Sequence, residues 1–241
     1  MTRRPLKIFL IATLLAMCLL AGILSTMADP AGVSVLSNST VSPTPQAAAS
    51  ITTAGGSFTT LLLNATTQTP RWKAYVGNVT GRFTLKDDIN FTIYDWQIAS
   101  IAGEVYASRN SSVTWSSIRC AVNATLVTEQ NQLNITTTKE DSINRTFNTS
   151  IHRSFYVGTT LIANSSCRAI ATYVNNSRQA ATESATFQEV VLDDTQKFVY
   201  TTLLQNKSQG YNNQPYDFQL IVAESEYNVN PSPYYFWAEL S

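Results

Sequence analysis

Twelve of the eighteen asparagines in this chain are followed two positions later by Ser or Thr with no Pro between, which is the acceptor pattern for N-linked glycan. They are Asn38, Asn64, Asn78, Asn90, Asn110, Asn123, Asn134, Asn144, Asn148, Asn164, Asn175 and Asn206. Downstream of Ala28, Ser and Thr fill 51 of 213 positions, and that frequency applied to eighteen asparagines gives about four acceptors by chance. The excess points to glycan on several of them. A glycosylated Asn stands on a solvent-facing loop or strand edge of an exported protein. A Thr- and Asn-rich β chain also produces such tripeptides by accident, so the pattern speaks to compartment and surface chemistry and not to an activity.

The N-terminus agrees. Arg3, Arg4 and Lys7 precede an uncharged apolar run from Ile8 to Leu24, and the small residues Thr26 and Ala28 make a cleavage site after Ala28. A secretory signal peptide over residues 1–28 is the first expectation. The run is also just long enough to cross a bilayer, so an uncleaved N-terminal anchor is the rival, with the membrane as a partner. The basic flank stays inside in both cases, and everything after Ala28 faces outward. Cys18 follows Met17 in mid-run, which is not where a lipid-modified Cys belongs, and Lys7-Ile8 lacks the small residue of a pilin-type site.

Removing the leader leaves 13 Lys+Arg against 16 Asp+Glu, a net charge of −3 without a basic cluster, which argues against a nucleic-acid partner. Past the leader the only cysteines are Cys120 and Cys167. In an oxidising compartment they most simply form one disulfide, closing a loop worth roughly 3–4 kcal/mol in the chain-entropy model. A metal site needs more ligands than two distant thiols and one histidine.

Residues 29–56 are rich in Ala, Ser, Thr and Pro, lack aromatic side chains, and carry no charge after Asp29. They read as a flexible stalk or tail, because too little apolar area is available to offset the entropy of ordering. The domain is expected over 57–241. Its dominant signal is β. Ile89, Phe91 and Ile93 alternate with polar neighbours, predicting a strand with that face buried. Further strands are predicted at Trp72–Val79, Gly81–Leu85, Gly103–Ala107, Cys167–Val174, Phe187–Leu192, Phe198–Leu204, Asp217–Val222 and Tyr234–Leu240, separated by turn-forming residues. Trp115, Ile118, Val122 and Leu126 are spaced as on a helix, with Thr114 placed to cap it, and Asp141–Phe147 suggests a second short helix. Asn123 falls beside that apolar stripe and is the one acceptor not expected to carry glycan. The predicted class is mainly β with one or two helices: two packed sheets, sandwich-like, behind an N-terminal apolar helix and stalk.

The strings Trp72-Lys-Ala-Tyr-Val-Gly-Asn-Val-Thr-Gly81, Tyr94-Asp-Trp96, Gly103-Glu-Val-Tyr-Ala-Ser108, Trp115-Ser-Ser-Ile118, Tyr216-Asp-Phe-Gln219 and Tyr234-Tyr-Phe-Trp-Ala-Glu-Leu240 resemble those of a set of secreted archaeal surface proteins, most of them functionally unassigned. The resemblance implies an archaeal envelope setting and a β-rich ectodomain, and supplies no catalytic residues. The Thr/Asn-rich composition is similar, more loosely, to archaeal extracellular filament subunits.

No motif announces catalysis. His152 is the only histidine, and a triad built on it with Ser154 lacks a visible acid and oxyanion hole. It reads as a surface or strand residue. Asp87, Asp88, Asp95, Glu104, Asp193, Asp194 and Asp217 are dispersed, and the Asp pairs read as turn stabilisers in preference to calcium ligands. Trp72, Trp96 and Trp115 read as core anchors, while Tyr234 to Trp237 must place two aromatics on each side of a strand. The expectation is a non-enzymatic, cofactor-free, N-glycosylated cell-surface protein with a structural or adhesive role. In its sharper form it is a filament subunit whose tail, Ala31 to Leu63, adds a strand to the next copy. The alternatives are a carbohydrate- or ligand-binding module and, last, a secreted hydrolase with two carboxylates across a cleft.

Overall fold

The computed structural model describes residues 29–226 and 230–241. The apolar segment expected as a leader or anchor lies outside the described residues. Among the described residues no helix is long and apolar enough to cross a membrane.

Fifteen strands follow one another among the described residues: β1 (Ala31–Gly32), β2 (Trp72–Gly77), β3 (Arg82–Lys86), β4 (Thr92–Gln97), β5 (Gly103–Ser108), β6 (Arg119–Cys120), β7 (Phe155–Val157), β8 (Thr160–Ile162), β9 (Ala169–Ala171), β10 (Gln188–Asp193), β11 (Phe198–Leu203), β12 (Ser208–Gln209), β13 (Pro215–Tyr216), β14 (Phe218–Ala223) and β15 (Tyr235–Leu240). Two helices, α1 (Asn123–Gln132) and α2 (Ile143–Thr146), lie between β6 and β7. The chain is mainly β, as its alternation predicts.

The centre is a seven-stranded antiparallel sheet in the order β1-β15-β5-β11-β10-β6, with β9 also on β10. β10 and β11 are buried along their whole length. Their sequences explain the position, since Val190-Val191-Leu192 and Phe198-Val199-Tyr200 are continuous apolar runs suited to cover on both faces. One face packs Val191, Phe198 and Tyr200 against Leu220 and Val222 of β14, Leu126 of α1 and Phe147. The other packs Val190, Leu192, Val199 and Tyr106 against Phe155, Val157 and Ile162 of the β7–β8 hairpin. The arrangement is therefore one central sheet covered on both sides by smaller pieces, of which the β2–β14 pair is one. The aromatic run near the C-terminus is divided as alternation requires: Phe236 joins the first cluster and Trp237 the second.

Two expected elements differ. The helical spacing from Trp115 to Leu126 yields only a short 3₁₀ turn at Trp115–Ser117. Arg119–Cys120 pairs instead with β10, and the amides of Thr114 and Val122 are taken by the side chains of Asp194 and Asp193. Thr114 makes no side-chain cap, and α1 begins only at Asn123. Sheet pairing and carboxylate–amide bonds outcompete the helix there.

The second difference is at Ile89, Phe91 and Ile93, which are 68, 71 and 78% exposed. Asp87 accepts the amides of Ile89 and Phe91, and Asn90 has φ +71°, so residues 89–91 form a turn and of the three only Ile93 lies in a strand, β4. A register irregularity at Leu85/Lys86 then sets the apolar face of β4 on Tyr94 and Trp96.

Residues 33–70 contain no helix or strand, and every one is exposed. This strap is held at both ends. Before it, Ala31 and Gly32 pair with Ala238 and Trp237, and the Val33 amide donates to the Phe236 carbonyl at 3.4 Å. After it, β2 pairs with β14.

Candidate functional site

Two surfaces and one recess stand out. The first surface is the β3–β4 hairpin, a two-stranded sheet with no further described strand on either edge. Its register places Phe83 opposite Trp96 and Leu85 opposite Tyr94, so four apolar side chains share one face. They are 44, 49, 55 and 60% exposed for Phe83, Trp96, Leu85 and Tyr94. The other face carries Ile93 beside an ion pair of Arg82 with Asp95 at 2.6 Å. Tyr94 and Trp96 meet edge to face at 4.9 Å. Trp96 is thus a surface residue rather than a core anchor. Trp72 and Trp115 are partly buried against the two cores, and Trp72 donates its indole N–H to the Asp141 carbonyl.

The second surface is the strap, where Phe58, Leu62 and Leu63 are 96, 101 and 80% exposed. Such side chains normally find cover, because burying one contributes about 1.5–3 kcal/mol.

The recess lies where β5 and β15 meet the start of β7. It measures about 260 Å³ and is lined by Gly103, Glu104, Arg153, Phe155, Leu204 and Glu239. Gly103 permits the geometry: its φ is +117° and a Cβ there would sit 2.0 Å from the Glu239 carbonyl oxygen. Glu104 and Glu239 are paired in register and are both buried. Burial first, and Glu239 second, push the Glu104 carboxyl up to about 8. Burial also raises Glu239, which accepts the Gly158 amide at 3.0 Å and the Tyr106 hydroxyl at 3.0 Å. The carboxylates are neighbours on adjacent strands of one sheet, and the recess is smaller than the ~300–1,000 Å³ of small-molecule sites. It does not provide the two-sided cleft of a glycosidase.

The other sequence candidates have local structural work. His152 is fully buried, which corrects its expected surface or strand position. Its Nε2 accepts the Cys167 amide at 3.0 Å and its Nδ1 sits 2.8 Å from the Arg153 carbonyl, the pattern of a neutral ring protonated at Nδ1. With both nitrogens committed to backbone, it does not serve Ser154. Burial lowers its pKa. Cys120 and Cys167 form the expected disulfide, tying β6 to the loop before β9. Asp193 accepts bonds from Arg119, Val122 and Thr195, and Asp194 from Thr114, Gln196 and Lys197. Asp217 likewise holds the amides of Val79 and Lys207. These are turn and loop clamps. Among the described residues no cluster of three or more His, Cys, Asp or Glu is placed to hold a metal ion.

Of the acceptor asparagines, Asn38, Asn64, Asn78, Asn90, Asn123, Asn134, Asn148, Asn164, Asn175 and Asn206 are exposed, while Asn110 and Asn144 are half-buried. Asn90, Asn134 and Asn175 occupy left-handed turn positions. Asn123 starts α1 and accepts from Arg168 at 2.9 Å, and the Asn144 Oδ1 is buried without a hydrogen bond.

Sequence reasoning missed Glu239 and the hairpin face. Glu239 sits in an aromatic run whose pattern conceals a charged inward position, and the hairpin face depends on a register irregularity that composition does not reveal. Comparison with family models, with characterised proteins and with solved structures returns no match for this chain.

Proposed function

We propose that this chain is an exported, N-glycosylated structural subunit of a cell surface that assembles with copies of itself by strand addition. The supporting observation is that one chain leaves two apolar segments uncovered: the Phe83/Leu85/Tyr94/Trp96 face with its free strand edges, and the strap around Phe58–Leu63. An isolated two-stranded hairpin is marginal in water, so this one is completed by a further strand or layer. The strap of a neighbouring copy supplies both a strand and apolar side chains in the one-to-one ratio that a homopolymer needs. Fully extended, residues 33–71 span at most ~130 Å, ample to reach a second copy. The first tail residues are already paired with their own β15. The donor is therefore Phe58–Leu63 rather than the whole of Ala31–Leu63. Glycans at the exposed acceptors limit uncontrolled edge-to-edge pairing.

Replacing Phe58, Leu61, Leu62 and Leu63 by Ser tests the reading by negative-stain microscopy of secreted protein. Assemblies are expected from the native chain and not from the variant; assemblies that survive the replacement contradict strand addition.

A second reading, a carbohydrate-binding module, draws on the exposed Tyr94–Trp96 pair as a stacking platform. Glycan-array binding abolished by Trp96→Ala would favour it; an array without signal excludes it.

A further inference from the structure

The recess beside β5 and β15 is short of positive charge. Glu104 is 8% exposed and lines the recess, and no hydrogen bond to its carboxyl is found among the described residues. Glu239 is 7% exposed and faces the same space. Opposing these two carboxyl groups is one guanidinium, that of Arg153, which donates to the Leu204 carbonyl at 3.0 Å and acts on Glu104 only at longer range. Further titratable neighbours are Tyr106, bonded to Glu239, Tyr156 on the recess wall, and Asp29, whose carboxyl adds to the negative field at Glu239. A buried acid pair of this kind is stabilised by a further cation.

The chain itself brings residue 29 to this place. Gly158 has φ +54°, and a Cβ built on it would stand 2.7 Å from the Asp29 Oδ1 and 3.8 Å from the Asp29 Cα. The same glycine donates its amide to Glu239 at 3.0 Å. Residue 29 therefore arrives beside the Glu239 carboxylate, with Pro30 buried next to it and Ala31–Gly32 paired to β15.

We propose that the Glu104–Glu239 recess is a receptor for an ammonium group, and that its occupant is the α-ammonium of Asp29, created when the leader is removed after Ala28. The inference rests on the exported reading above. Hydrolysis of the Ala28–Asp29 peptide bond by a leader peptidase puts the oxygen of water on the Ala28 carbonyl carbon and leaves the amine on Asp29. That amine is protonated at neutral pH, given an unperturbed value of about 7.7–8.0. Before cleavage the same nitrogen is a neutral amide, and Asp29 brings only its carboxylate to an already negative site. Leader removal thus converts an unfavourable neighbour into the missing counter-charge beside the β1–β15 pairing.

The test uses secreted, glycosylated protein. The rate at which cyanate carbamylates the Asp29 α-amine is followed by mass spectrometry of the N-terminal peptide, with hydrogen exchange at the Val33 amide read on the same sample. The expected result is modification at least about tenfold slower than for a free peptide of the same sequence, equivalent to one pKa unit or more, with Val33 protected. Glu239→Gln is expected to restore much of the peptide-like rate while Val33 stays protected. A peptide-like rate with Val33 protected overturns the receptor and leaves the strand pairing intact. A freely exchanging Val33 overturns both. A native N-terminus other than Asp29 overturns the inference and the leader-removal premise together.

Discussion

Glu104 and Glu239 face each other across the β5–β15 pairing with both carboxyl groups almost closed to solvent. Glu104 is raised to about 8, so between its ordinary value near 4.5 and 8 the unfolded chain has lost a proton that the folded chain keeps. Its stabilising contribution is full below 4.5 and is lost as pH rises to 8. Glu239 is raised as well, and Glu189, fully buried in β10, is pushed well above its usual range by burial. In chain that retains its leader, so that the Asp29 nitrogen is still an amide, Tm is expected to fall from pH 5 to pH 8, and Glu104→Gln to flatten that fall by an amount on the order of 3 kcal/mol. An unchanged slope in the variant would refute the assignment.

His152 works in the opposite direction. Burial lowers its pKa, so the unfolded chain takes up a proton first as pH falls. Stability from this residue is complete above about 6.5 and declines as pH drops below it. His152→Asn is expected to cost about 1–3 kcal/mol through the lost Cys167 and Arg153 bonds, and to remove the acid-side decline. Retention of that decline in the variant would place its origin elsewhere.

The disulfide spans 47 positions and fastens the edge strand β6 to the loop before β9, its neighbour along the same edge of β10. Replacing Cys120 and Cys167 by Ser is expected to lower stability by roughly 3–4 kcal/mol, or about 10 °C in Tm for a domain of this size. A change under ~2 °C would mean that the loop is already ordered without the bond.

Much of the fold is legible in the sequence where local pattern and tertiary environment agree. The runs at Gly103–Ala107, Phe187–Leu192, Phe198–Leu204 and Asp217–Val222 become β5, β10, β11 and β14 within one or two residues. Legibility fails where a side chain competes for backbone amides. Asp193 captures the Val122 amide that the predicted Trp115–Leu126 helix would have used, Asp194 takes the amide of its expected cap Thr114, and Asp87 turns residues 89–91 into a hairpin tip ahead of β4. The recess is hidden for a different reason: Glu104 and Glu239 are 135 positions apart, and only the pairing register brings them together.

Glycan mapping separates the acceptors by geometry. Asn38 and Asn64 on the strap, and Asn90 at the hairpin tip, are expected to be occupied, since nothing covers them. Asn144 is expected to be empty, because its side-chain oxygen is buried within the fold. Peptide mapping that finds Asn144 occupied and the strap sites bare would contradict this ordering and the exposure on which it rests.

The most direct test of self-assembly joins the two uncovered segments. A photoreactive phenylalanine analogue at position 83 is placed in secreted protein, and light and heavy isotopic forms are mixed before irradiation. Assembly by strand addition predicts mixed-isotope crosslinks from position 83 to residues 58–63 of another copy. Crosslinks confined to one isotope, or an unmodified monomer at high protein concentration, would contradict it.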